Sequence, residues 1–215
     1  LESTKLVPKG SFYFIVSHRF GDVQSGIEDF FGLDNAVTRI QFIYGFSDGF
    51  DLGVSRSSLA KIYEMSAKYR LVRQDKEGFP VTLVGFNQLA INTALDKDLL
   101  PGLEFSHRLS YVVQLLVSRK FTENLSLELA PTFFHDNYAV LDTQDNSQYA
   151  IGIGGRYKIS KRVSLNVDYA AHLNRADNSP FYNPLSIGAD IETGGHVFQL
   201  HFTNAQQMTE SGFLG

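Results

Sequence analysis

The chain has no cysteine, no tryptophan and only six prolines among 215 residues, and none of its apolar runs approaches the roughly eighteen residues of a membrane-spanning helix. Without cysteine there are no disulfides, thiolate metal sites or thiolate-held cofactors, a composition compatible with an oxidising envelope compartment. No Pro-, Ser- or Gly-rich linker interrupts it, so residues 1–215 read as one domain. An excess of positive charge is missing too. Nineteen Lys and Arg against 23 Asp and Glu leave a net charge of −4, which supplies no basic footprint for nucleic acid. The opening LESTKLVPKG holds no apolar signal core, so any export signal is expected to have been removed.

What the chain does have is strand periodicity. In QYAIGIGGRYKI, Tyr149, Ile151, Ile153, Tyr157 and Ile159 recur at every second position, Gly155 excepted, with Gln148, Gly152, Gly154, Arg156 and Lys158 between them. A short SKR turn follows. Val163, Leu165, Val167, Tyr169, Ala171 and Leu173 then alternate with Ser164, Asn166, Asp168 and His172. This is a long antiparallel hairpin, each arm about the nine to eleven residues that a tilted strand needs to cross a bilayer.

The same test places eleven strands. The first carries Phe12, Phe14, Val16 and Phe20; the second Ile40, Phe42, Tyr44 and Phe46, closing on an Asp48-Gly49 turn; the third Phe50, Leu52 and Val54. The fourth runs from Leu59 to Leu71 and, despite its good helix formers, keeps period two. The fifth, near 80–94, alternates poorly beyond Gly85 and is expected to contain a bulge or a kink. The sixth is defined by Phe105, Leu109, Tyr111, Val113, Leu115 and Val117, the seventh by Leu125, Leu127, Leu129 and Phe133. The tenth and eleventh hold Leu185, Ile187, Ala189 and Ile191, then Phe198, Leu200 and Phe202. Connections after even-numbered strands are short (47–49, 119–123, 159–161 and 193–195, with 72–79 somewhat longer). Those after odd-numbered strands are long (21–36, 94–103, 135–147 and 174–183), with 55–58 as the exception. That is the rim asymmetry of outer-membrane barrels, and it makes the amino terminus periplasmic. Because bacterial single-chain barrels have even strand numbers, a twelfth strand beyond Gly215 is expected.

The fold class is therefore all-β, a transmembrane antiparallel up-and-down barrel of about twelve strands. Charges of both signs on the polar face assign that face to the lumen: Arg39, Glu64, Lys68, Arg70, Arg108, Glu128, Arg156, Lys158, Asp168 and Asp190 are the candidate lining residues, either as a selectivity set or as a salt-bridge plug. Aromatics near strand ends suit interfacial girdles, though without tryptophan. The inward glycines relieve crowding or permit curvature. IGIGGR lies inside a strand and is no phosphate loop. The histidines suggest no metal centre: His196 and His201 fall on opposite faces, His18 and His107 on outward ones and His172 on an inward one. No cofactor is expected.

From GGRYKISKRVSLNVDYAAHLN through GGHVFQLHFTNAQ (194–206), and forward to SHRFGD at 17–22, the chain resembles an uncharacterised family of outer-membrane β-barrels from Bacteroidota, known only as a domain of unknown function. The resemblance implies the barrel fold, the outer-membrane location and one further strand, and it transfers no catalytic residues. The expected function is a narrow pore for small solutes. The alternative is a non-conducting accessory barrel that docks an envelope partner through long loops or outer wall. A membrane-embedded hydrolase is the weaker third reading, and no enzymatic activity is expected. The expected surroundings are outer-membrane lipid.

Overall fold

The computed structural model describes residues 1–24 and 26–215; Ser25, within the long loop expected at 21–36, lies outside the described residues. Eleven strands form one antiparallel sheet in sequence order. They are β1 (Phe12–Arg19), β2 (Val37–Ser47), β3 (Phe50–Ser57), β4 (Ile62–Val72), β5 (Thr82–Asn92), β6 (Leu109–Lys120), β7 (Leu125–Asp136), β8 (Ser147–Lys158), β9 (Val163–His172), β10 (Leu185–Thr193) and β11 (His196–Thr203), followed by a short helix α1 (Glu210–Leu214). Every neighbour in sequence is a neighbour in space, as in an up-and-down barrel.

The expected alternation holds along most of the wall. Tyr157 pairs with Leu165 and Ile153 with Tyr169 across β8 and β9, apolar beside apolar on the outer surface. That surface is exposed and apolar all round, with Val54, Met65, Ile153, Leu165 and Ile187 about half exposed. A continuous apolar belt of this kind is stable against lipid and not against water. Connections 48–49, 73–81, 121–124, 159–162 and 194–195 define one rim, here the short-turn rim; 20–36, 58–61, 93–108, 137–146 and 173–184 define the long-loop rim.

Three local expectations need correction. β5 has no bulge: the ladder irregularity sits in its partner, between Arg70 and Val72 of β4. β5 alternates poorly because its inward positions Val84 and Phe86 are apolar and fully buried, while Asn87 stands on the outward face beside Ala67 and Val113. β6 begins at Leu109, since Ser106–Arg108 forms a 3-10 turn, and this removes Phe105, His107 and Arg108 from the strand. Likewise Leu59 belongs to a 3-10 turn before β4.

Among the described residues no ladder joins β11 to β1. Both strands run from the short-turn rim toward the long-loop rim, so they are parallel to each other across this seam. A strand pairing antiparallel with both would run the opposite way.

Candidate functional site in the barrel lumen

The inner wall divides by strand. On β2 to β4 the inward positions are polar, and Gln41, Asp51, Ser55, Ser57, Glu64 and Lys68 are all buried. On β5 to β7 an apolar band, Val84, Phe86, Ala90, Val112, Leu116, Ala130 and Phe134, is buried beside the polar Gln88, Gln114 and Thr132. A sheet face open to water would expose these side chains. Both sets are covered from inside by the chain itself.

Residues 1–8 occupy the half of the lumen nearer the short-turn rim. Their backbone and side chains bond to the wall throughout. Glu2 accepts a hydrogen bond from Lys68 Nζ at 2.7 Å. The Thr4 N–H donates to Glu128 Oε2 at 3.0 Å, and the Val7 N–H to Asp51 Oδ2 at 2.9 Å. Leu6 completes an apolar cluster with Val84, Phe86, Leu116 and Ala130. Two wall glycines make the fit possible. A Cβ on Gly45 would stand 2.2 Å from the Pro8 carbonyl oxygen, and one on Gly152 would stand 2.7 Å from Leu1 Cδ2. Both distances are far inside van der Waals contact: at Gly45 the clash is with backbone, so only glycine admits the segment there, and at Gly152 a larger residue would have to displace the Leu1 side chain.

The residues after β11 fill the other half. Arg19, at the long-loop end of β1, donates to the Ala205 carbonyl and, at 3.2 Å, to that of Gln207. Glu210 accepts from Gln114 Nε2 at 3.0 Å. Phe213 and Leu214 pack with Val112, Phe134, Ala150 and Ala170. Arg175, in the loop after β9, donates to the carbonyls of Gly215 and Leu214.

The sequence-predicted lumen residues fall into four groups. Arg39 and Glu64 form a buried pair at 2.8 Å, and Glu64 is the hub of its arc, accepting also from Ser55 Oγ and from Gln88 Nε2 at 2.7 Å. Lys68 and Glu128 hold residues 1–8, as described. Arg156 bridges Glu192 at 3.0 Å and Asp190 at 3.7 Å, while its Nε donates to Ser164 Oγ at 2.9 Å. Asp168 lies across Gly154, where an added Cβ would come within 3.0 Å of its Oδ1. The fourth group is peripheral. Arg70 donates to the Asp48 carbonyl at the short-turn rim, and Lys158 sits at that rim without an ion-pair partner among the described residues. Arg108 is placed off the inner wall altogether, in the 3-10 turn, where it donates to the Asn92 carbonyl at 3.2 Å. Arg39, Glu64, Lys68, Glu128, Arg156 and Asp190 thus pair with one another or anchor the inner segments.

Sequence reasoning missed the inner segments themselves. Their only cues were the isolated apolar pairs Leu6-Val7 and Phe213-Leu214, too short to carry a period. His172 shows another departure. It is inward as expected, buried beside the Phe134 ring at 5.4 Å, and neither of its ring nitrogens has a hydrogen-bond partner among the described residues.

No curated protein and no solved structure matches the chain. One family model does, over residues 1–215, and its description, membrane bound beta barrel domain, is the architecture found here. The chain belongs to that family, DUF5777, a membrane-bound β-barrel domain of unknown function.

Proposed function

We propose that this domain is a sealed outer-membrane barrel, a non-conducting structural or accessory subunit whose short-turn rim, and with it the amino-terminal segment, faces the periplasm. One observation carries the reading: residues 1–8 and 205–215 pack inside the wall through apolar clusters and buried ion pairs, rather than lying loosely in a channel. A barrel of about twelve strands lies between the sizes that side chains fill and those that hold water, and here the chain supplies the filling. Partner docking is assigned to the long loops, where Ile27, Leu99, Val140 and Tyr182 are each more than four-fifths exposed. Apolar side chains so exposed beyond the lipid belt suit a protein contact. The reading includes no enzymatic activity.

The pore reading keeps one specific support, the density of inward charge between Arg39 and Asp190. It requires the inner segments to leave. Planar-bilayer recording separates the two. The refolded full chain is expected to be silent in small salts, with discrete steps appearing in Gly152→Leu, whose new side chain takes the space of Leu1. Reproducible steps from the unmodified chain would overturn the sealed reading and make Arg39 and Arg156 the first residues to test for ion selectivity.

A further inference from the structure

The four strands β6 to β9 carry opposite charge at their two ends. At the short-turn rim they bring together Arg119, Lys120, Lys158, Lys161 and Arg162, with Glu123 as the one acid of that arc. At the long-loop rim the same hairpins end in Asp136, Asp142, Asp145 and Asp177, and the nearby Arg175 is committed to the chain's own carbonyls. The two turns of the basic arc are neighbours: Lys120 pairs with Ser126 across β6 and β7, and the Lys158 N–H donates to the Asn124 carbonyl at 2.9 Å. None of the five cations forms an ion pair within 4.0 Å among the described residues, in contrast to Arg39, Lys68 and Arg156 deeper in the barrel.

What lies beside the basic arc sets its depth in the membrane. Phe121, Tyr157 and Ile159 are each more than half exposed on the outer wall. The Arg119 guanidinium lies over the Phe121 ring, 5.0 Å from its centroid. Aromatic side chains mark the level of the lipid head groups. Long cationic side chains at that level rest their stems on apolar surface and extend their charge into the phosphate plane. Arg119, Lys161 and Arg162, with Lys120 and Lys158 at inward-phase positions behind them and Glu123 as the one acid, form a surface for negative charge carried by the leaflet itself.

We propose that the short-turn rim from β6 to β9 binds the anionic head groups of phospholipids in the leaflet that contacts it, with Arg119, Lys161 and Arg162 as the principal contacts. The surface selects phosphatidylglycerol-like lipids over zwitterionic ones by charge, and it holds this side of the barrel at a fixed depth. Attraction at a surface of this kind is screened over about 8–10 Å at physiological salt, so selectivity falls as salt rises.

The test uses the refolded full chain in vesicles of equal phosphatidylglycerol and phosphatidylcholine, with native mass spectrometry counting the lipids retained after mild extraction. Retention of phosphatidylglycerol is expected to exceed that of phosphatidylcholine by about fivefold. The triple variant Arg119→Gln, Lys161→Gln, Arg162→Gln should bring that ratio close to one, whereas Lys61→Gln, Lys97→Gln on the opposite rim should leave it unchanged. Equal retention of the two lipids by the parent chain overturns the proposal. So does an unchanged ratio in a triple variant that keeps its β-sheet circular dichroism. Loss of the preference in the opposite-rim variant would also overturn it, by showing that total charge and not this arc is responsible. Millimolar inorganic phosphate in the buffer should not reduce retention; displacement by it would assign the arc to soluble anions instead of lipid.

Discussion

The inner walls of β2–β4 and β5–β7 face the same lumen and are both buried, yet the first is dominated by paired polar groups while the second carries an apolar band among its polar positions. On the first, Glu64 collects Arg39 and Ser55 around one carboxylate and also accepts from Gln88 of the neighbouring β5. On the second, Phe86, Leu116 and Phe134 meet Leu6, Phe213 and Leu214. The two arcs are buried for different reasons. Apolar burial is non-directional and grows with the area removed from water. A buried charge is tolerated only when geometry supplies its partners, and it contributes more to specifying position than to net stability. The apolar arc therefore supplies the driving force that draws the inner segments in. The polar arc fixes their register, through Lys68 on Glu2 and Asp51 on Val7.

The largest way to break this comparison is on the apolar side. Phe134→Ala empties a fully buried site between the wall and α1 and should cost about 3–5 kcal/mol, measured by urea unfolding in a fixed micelle. Glu64→Gln keeps the shape of its arc and removes the charge that Arg39 and Ser55 bind. It should cost about 2–3 kcal/mol. Replacing Arg39 and Glu64 together by apolar residues of similar volume should recover most of that loss, because a matched apolar pair leaves no orphaned charge. Failure to recover would mean that the polar arc contributes stability and not only register. Gly152→Leu sharpens the comparison by acting on one inner segment alone, since it crowds Leu1 without touching the Glu64 hub. Overpacking of this kind should cost about 1–2 kcal/mol. Amide exchange at Thr4 and Val7 should rise at least about tenfold, as expected when a locally bound segment opens, while the β2–β4 amides stay protected.

The outer wall was legible in the sequence because lipid favours apolar residues at most outward positions, so the period survives in ten of the eleven strands. The exception is instructive. β5 lost its period where Val84 and Phe86 turn apolar on the inside and Asn87 polar on the outside, and the inward apolar pair was the wall's counterpart to the apolar pairs Leu6-Val7 and Phe213-Leu214 of the inner segments. The lost period looks like a bulge when only the outer face is considered. Arg108 was misplaced for a similar reason: Phe105 and Leu109 are four apart, and the even spacing hides a 3-10 turn in which the alternation between them has no strand to support it. Among the charges, phase along a strand told which side Arg39, Glu64 and Asp190 occupy. Pairing depends on register between strands, which a single strand's pattern does not encode. The contacts of residues 1–8 and 205–215 are long-range and made by short irregular segments, so no local period announces them.

The smallest effect is expected where polar groups are least buried. Arg156 is about one-third exposed, with Asp190 at 3.7 Å and Glu192 at 3.0 Å. By contrast the Arg39 and Glu64 side chains are 12% and 1% exposed. An ion pair in contact with water gains little, because solvent screens the charges and both side chains lose freedom; Arg156→Ala should therefore cost no more than about 1 kcal/mol. Salt makes the distinction quantitative. Raising ionic strength to about 1 M shortens the screening length to roughly 3 Å, so the parent chain should lose most of what Arg156 contributes, and the Arg156→Ala difference should shrink toward zero. The cost of Glu64→Gln, measured in the same salt series, should stay nearly constant. If both differences shrink together, water reaches the β2–β4 arc as freely as the mouth at Arg156, and the inner segments do not seal that side of the lumen.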